Sequence, residues 1–148
     1  MRSCFELSNG VQMPKIGFGT YKSTDGSDEC VISQALEAGY RLLDTAAAYK
    51  NEEQVGKAIT RSGISRKEIF LTSKVWKTDL GYENTKKSFQ ESLERLQTDY
   101  LDLFLLHWPK PDPESADWKE LDRESWRALE ELYKEGKVRA IGVSNFLP

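Results

Sequence analysis

The chain has 148 residues, 39% hydrophobic and 30% charged, a balance that supports a packed domain and excludes a disordered chain. A net charge of −3, with lysines and arginines dispersed among acids, lacks the basic stripe of a nucleic-acid-binding surface. No apolar run is long enough to span a bilayer, the N-terminus lacks a signal-peptide core, and two cysteines make neither a metal-ligand spacing nor a disulfide framework, so the expectation is a cytoplasmic protein with no membrane, nucleic-acid or metal partner.

In chain order, alternation around Asn9-Gly10 predicts an N-terminal hairpin, with that dipeptide supplying the positive φ angles of a tight turn. Short apolar runs then alternate with amphipathic stretches. The runs occupy residues 16–20, 41–45, 69–74, 101–107 and 138–143. Between the first two, Val31, Ile32, Ala35 and Leu36 mark a helix ended by Gly39. Asn51 with Gln54 three residues on reads as a helix start, followed by Val55, Ala58 and Ile59. Phe89, Leu93 and Leu96 mark a third helix, and Trp126, Leu129, Leu132 and Tyr133 a fourth, stopped by Gly136. Residues 109–114, with three prolines, are predicted as an irregular loop after the fourth strand. Cys4 and Cys30 are expected as small buried side chains.

Strands alternating with helices predict βαβ units and a parallel sheet, with continuously apolar strands buried on both faces. No linker interrupts the pattern, so residues 1–148 read as a single domain. Two α/β architectures fit. An open doubly wound sheet could be completed by a chain of this length, whereas a (β/α)₈ barrel typically needs about 250 residues. The ends of the runs favour part of a barrel. Asp44, Lys74, His107 and the pair Ser144-Asn145 each close one of four successive runs. A barrel gathers such positions into a ring on its C-terminal face, while an open sheet spreads them along a line. Singly, each has a structural alternative: Asp44 as a loop or capping residue, Tyr49 as core with a wet tip, Lys74 as an exposed lysine, and His107 as a packed histidine.

Five segments closely resemble the aldo-keto reductases: MPKIGFGTY (13–21), GYRLLDTAAAYKNE (39–52), LTSKVW (71–76), YLDLFLLHWP (100–109) and GKVRAIGVSNF (136–146). They occur in family order along the whole chain. The resemblance implies a partial TIM barrel, an N-terminal hairpin plus about five strands and four helices, ending after the fifth strand of a longer enzyme's barrel. It implies a catalytic tetrad of Asp44, Tyr49, Lys74 and His107. It also implies NAD(P)H-dependent reduction of aldehydes or ketones to alcohols, with NADP(H), or alternatively NAD(H), as cofactor. Gly19, Thr20, Tyr21 and Asp44 would lie at the nicotinamide end, and Ser144 and Asn145 on the carboxamide. Tyr21, Trp76, His107 and Trp108 would line the pocket for a small-molecule carbonyl substrate; for the aromatic residues the alternative is packing at the barrel rim.

The chemistry agrees. Carbonyl reduction delivers hydride to carbon and a proton to oxygen. A free tyrosine, with a pKa of about 10, is protonated at neutral pH but is a weak acid unless its phenolate is stabilised. A neighbouring cation does that, and Lys74 is the candidate, with Asp44 holding it and His107 orienting the carbonyl oxygen. Tyr49 is then the general acid in reduction and the base in oxidation. No side chain supplies hydride, so a cofactor must, and Gly17-Phe18-Gly19 lacks the full glycine pattern and following helix of a Rossmann turn. Unpaired edges of a partial barrel predict self-association. The competing reading is a non-catalytic half-barrel that binds or assembles. A Schiff-base lysine enzyme fits less well, because such a lysine gains nothing from the phenol and carboxylate.

Overall fold

The computed structural model describes residues 3–24, 29–109, 114 and 116–146. Strand β1 (Cys4–Glu6) pairs antiparallel with β2 (Gln12–Pro14), Phe5 opposite Met13. The hairpin forms as predicted, but residues 7–11 make a longer loop than the expected tight turn. Only Gly10 of the predicted pair has positive φ, at 82°. The Asn9 amide instead donates to the Arg139 carbonyl (2.9 Å) and the Tyr133 hydroxyl (3.3 Å), pinning the hairpin to the chain's other end.

The five predicted runs become β3 (Phe18–Gly19), β4 (Leu42–Asp44), β5 (Phe70–Val75), β6 (Leu103–Leu106) and β7 (Ile141–Val143). They form one parallel sheet in the order β3-β4-β5-β6-β7. Sequential order without a reversal is barrel order; a doubly wound sheet has a switch point where the order turns back. The open-sheet alternative therefore falls away, and the strands make the first five of a (β/α)₈ barrel with β3 and β7 at the edges. Helices α1 (Cys30–Glu37), α2 (Glu52–Arg61), α3 (Tyr82–Leu96) and α4 (Trp118–Lys134) connect them.

Side chains alternate across the sheet. Leu43, Leu71, Val75, Phe104 and Leu106 face the helices and join Ile32, Val55, Phe89, Leu93, Leu129 and Leu132 in one core. Phe89 of α3 meets Phe104 of β6 edge to face, centroids 5.1 Å apart. Burial of each such side chain contributes about 1.5–3 kcal/mol. Continuous burial holds along β5, the central strand. In β6 it alternates: Phe104 and Leu106 are buried, whereas Leu103 and Leu105, on the barrel-interior face, are half-buried. Helix α1 ends as predicted at Gly39, whose φ of 101° lets the Tyr40 amide return to the Ala35 carbonyl at 3.0 Å.

Some expectations are corrected. Val31 and Tyr133 sit on the rims of their stripes and are exposed, Cys30 is exposed and Cys4 half-buried rather than buried. Asn51 precedes α2 without capping it through its side chain, which is engaged elsewhere. Of the predicted irregular loop, residues 110–113 lie outside the described residues, and Pro109 and Glu114 belong to no helix or strand. Among the described residues no helix is long and apolar enough to cross a membrane, and no three His, Cys, Asp or Glu groups could hold a metal.

Candidate active site

Asp44 ends β4 in register with Thr72 of β5, and Lys74 stands two residues farther along β5. A two-residue step keeps Asp44, Thr72 and Lys74 on one face of the sheet. The Lys74 ammonium donates to Asp44 Oδ1 at 2.6 Å, to the Thr45 carbonyl at 3.0 Å and to the Tyr49 hydroxyl at 3.4 Å. Tyr49 closes a 3₁₀ turn (Ala47–Tyr49) between β4 and α2. The last contact is longer than an ordinary N–H···O bond, but it places the phenol beside the cation. Lys74 is 6% exposed, while the Asp44 side chain is 37% exposed. The ammonium is thus enclosed, and its counter-ion reaches the water's edge.

His107 follows β6 and is buried. Its ring lies edge-on to Tyr49 (5.6 Å) and to Trp76 (5.2 Å), and the Tyr21 ring is tilted against Tyr49 at 5.0 Å. Burial pushes the His107 pKa below its usual 6.5, the Lys74 charge pushes it the same way, and the Asp44 carboxylate partly opposes both. The imidazole is therefore neutral at pH 7, and its Nδ1 is buried without a hydrogen-bond partner.

The remaining predicted residues sit on the same rim. Gly19 is registered with Asp44, and the space where a Cβ would stand is open. The Thr20 amide donates to the Asp44 carbonyl at 2.9 Å, and its Oγ1 is buried without a partner. Tyr21 is exposed. After β7, the Ser144 amide donates to the Leu106 carbonyl at 2.8 Å. Asn145, at a φ of 62°, donates from Nδ2 to the His107 carbonyl (2.8 Å) and to Ser144 Oγ (3.1 Å). Trp108, the residue after His107, is 44% exposed and stacks on no described ring. A cleft of about 700 Å³ opens beside the cluster, lined by Tyr21, Tyr49 and Trp76 and running out to Glu53, Glu91 and Arg95. Asp44, Lys74 and His107 do not line it.

The sequence reading missed the buried polar groups behind the site, Thr45, Asn51, Glu52, Ser73 and Ser92. A signal was available: Ser73 interrupts an otherwise apolar strand face, and Ser92 falls on the stripe of Phe89, Leu93 and Leu96.

The family model described as "Aldo/keto reductase family" matches residues 15–148. The chain is 52% identical over 147 residues to a protein named glyoxal reductase from Bacillus subtilis (strain 168), covering 99% of this chain and 50% of that protein. It is 46% identical over 147 residues to 9,11-endoperoxide prostaglandin H2 reductase from Trypanosoma cruzi (strain CL Brener), covering 99% and 49%. A crystal structure of an aldo/keto reductase from Brucella melitensis superposes with a TM-score of 0.91 at 48% identity, covering 99% of this chain and 55% of that one. The chain thus spans about half the length of the curated relatives it matches.

Proposed function

We propose that this chain, which belongs to the aldo/keto reductase family, provides the acid–base part of a site that reduces small aldehydes or ketones to alcohols. The observation that carries this reading is the Lys74 ammonium, bonded to Asp44 and in reach of the Tyr49 hydroxyl, beside a neutral His107.

In reduction, Tyr49 gives its proton to the carbonyl oxygen, and the Lys74 charge stabilises the phenolate that remains. Asp44 holds the ammonium in place. His107, neutral and with Nδ1 unpartnered, carries its proton on Nε2, because an unpaired buried lone pair costs less than an unpaired N–H. That tautomer offers a donor to orient the carbonyl oxygen. Tyr21 and Trp76 form an aromatic wall with His107, and Trp108 belongs to the outer rim of the substrate pocket.

The cofactor we assign is NADP(H), with NAD(H) as the alternative; when bound it supplies the hydride. The residues present suit it. Gly19, Thr20, Tyr21 and Asp44 would meet the nicotinamide end, where the space beside Gly19 is open. Ser144 and Asn145 would hold the carboxamide, since Asn145 is fixed through Nδ2 and a hydroxyl and an amide oxygen are both groups that can accept from an amide. The relatives' names span a small dialdehyde and a prostaglandin endoperoxide, so the substrate is proposed only as a class. The proposed unit is a single domain over 1–148, and the proposed setting is the cytoplasm.

NADPH fluorescence titration with the parent chain and with Tyr49→Phe tests this. Nucleotide binding in both, with glyoxal turnover in the parent that falls roughly 10²–10⁴-fold in the variant, supports the reading. Absence of nucleotide binding overturns it.

A second reading is favoured by the unpaired outer strands. Ile16 beside β3 and Val143 in β7 are 73% and 47% exposed. In this reading the chain is a non-catalytic half-barrel that self-associates through those edges. Nucleotide binding without turnover in either protein supports it, and a monodisperse monomer by light scattering overturns the association.

A further inference from the structure

Asn51 and Glu52 follow Tyr49 by two and three residues and are 2% and 1% exposed. Their side chains diverge. Asn51 donates from Nδ2 to the Thr20 carbonyl at 2.7 Å and accepts from Thr45 Oγ1 at 3.0 Å, so it joins the ends of β3 and β4. Glu52 accepts from Ser73 Oγ at 2.6 Å, from Ser92 Oγ at 3.2 Å and from Arg95 Nε at 2.7 Å. It therefore joins the start of α2 to β5 and to α3.

A buried carboxylate is costly unless paired and hydrogen-bonded, and here one cation and two hydroxyls satisfy it. The placement of Ser73 gives the arrangement a consequence. Ser73 immediately precedes Lys74, and the two side chains leave opposite faces of β5. Glu52 grips the strand from the helix side while Lys74 reaches Tyr49 on the barrel-interior side. The 3₁₀ turn with Tyr49 and the strand with Lys74 are separate elements, and their direct contact, at 3.4 Å, is a weak restraint.

We propose that Glu52 is a positioning residue that sets the Tyr49–Lys74 distance by tying the chain just after Tyr49 to Ser73, the neighbour of Lys74. This rests on the reading of Tyr49 and Lys74 as the proton-transfer pair. Glu52 also lies in the first turn of α2, where any carboxylate favours the helix dipole. A role limited to that survives removal of the Ser73 hydroxyl. Positioning does not.

The test uses the 148-residue chain and needs no turnover. A hydrogen-bonded, enclosed ammonium exchanges its protons slowly, so Lys74 Nζ gives a proton–nitrogen NMR signal that Lys74→Met identifies by its loss. In Ser73→Ala and Glu52→Ala that exchange becomes roughly tenfold faster, the size expected for losing about one net hydrogen bond, and the nuclear Overhauser contact from Lys74 to the Tyr49 ring weakens. In Ser92→Ala, which removes a Glu52 partner on α3 and leaves β5 untouched, both stay as in the parent. Should Glu52→Ala fail to fold, Ser73→Ala decides alone. Unchanged exchange in Ser73→Ala, with or without a lower melting temperature, overturns the proposal. If the parent chain shows no nuclear Overhauser contact between Lys74 and the Tyr49 ring, the proton-transfer pair fails instead, so the two failures are distinguishable.

Discussion

Asp44 and Lys74 meet diagonally across adjacent parallel strands: Asp44 is in register with Thr72, and Lys74 reaches back from two residues farther along to bond at 2.6 Å. The step carries the ammonium toward the strand's C-terminal end, where the Thr45 carbonyl and Tyr49 hydroxyl also lie. The pair is unequal. The Lys74 side chain is 7% exposed and that of Asp44 37%, so the two charges differ in what each becomes when its partner is removed.

Asp44→Asn strands an ammonium that water hardly reaches, whereas Lys74→Met strands a carboxylate that water can solvate. Losing one partner of a fully buried pair costs about 3–5 kcal/mol, and the exposure of Asp44 reduces that to about 2 kcal/mol for Asp44→Asn. Lys74→Met keeps the buried aliphatic stem and costs about 1 kcal/mol or less. Urea denaturation of both variants measures the difference. Equal losses, or a larger loss in Lys74→Met, contradict the asymmetry.

His107 is the only histidine, so its imidazole resonances need no assignment. Its folded pKa lies below 6.5, with burial the first cause and the Lys74 charge the second. The folded state therefore binds fewer protons than the unfolded chain as pH falls from about 6.5 toward the folded pKa. Stability is full above 6.5 and declines through that window. NMR titration should give a midpoint below 6.5 that rises in Lys74→Met, and His107→Gln should flatten the stability profile over the same window. A midpoint at or above 6.5 would sink this account.

The strand ends are legible because each polar group there closes an apolar run, but that Asp44 and Lys74 share one face needs the register of Asp44 with Thr72, which the sequence does not supply. Nor does it show the Asn51 and Glu52 network. Those residues sit where helix capping is the local explanation, and their partners Thr20, Ser73 and Ser92 are brought near only by packing α2 against the sheet and α3. Strand periodicity predicts direction only within the strand, so it does not say where Trp108 points: the residue lies beyond the end of β6 and is exposed. The hairpin loop is longer than the dipeptide alone predicts, and Asn9 works in two directions: its Oδ1 accepts from the Val11 amide within the loop while its Nδ2 donates to distant Tyr133 and Arg139.

Gly56 marks where α2 touches α3. A Cβ there would stand 2.7 Å from the Leu96 carbonyl carbon and 2.8 Å from the Arg95 carbonyl oxygen, backbone atoms that cannot swing aside. In an open helix, Gly→Ala stabilises by about 0.5–1 kcal/mol. Here overpacking reverses the sign, and Gly56→Ala is expected to cost about 1–3 kcal/mol. Because Glu52 opens the same helix as Gly56, displacing α2 should also speed Lys74 ammonium exchange. A stabilised Gly56→Ala chain by thermal denaturation contradicts the close approach.

Asp102 fastens the opposite end of the sheet. It is 1% exposed, and Oδ2 accepts from Arg66 Nη1 at 2.9 Å and from the Leu71 amide at 3.0 Å while Oδ1 accepts from Arg139 Nη1 at 2.8 Å. One carboxylate thus joins β5, the approach to β6 and the approach to β7. Asp102→Asn turns one acceptor into a donor facing a guanidinium and removes the charge that two arginines share. The expected loss is about 3 kcal/mol, the lower end for a broken buried pair, because Arg139 is 47% exposed and can be solvated. Arg139→Ala, which leaves Asp102 its Arg66 and amide bonds, should cost no more than about 1 kcal/mol. Asp102 precedes β6 and His107 follows it, so both variants should leave the His107 titration midpoint where it is in the parent. Urea unfolding and the single-histidine NMR titration check the two halves separately, and a shifted His107 midpoint would mean that the sheet transmits strain from Asp102 to the rim.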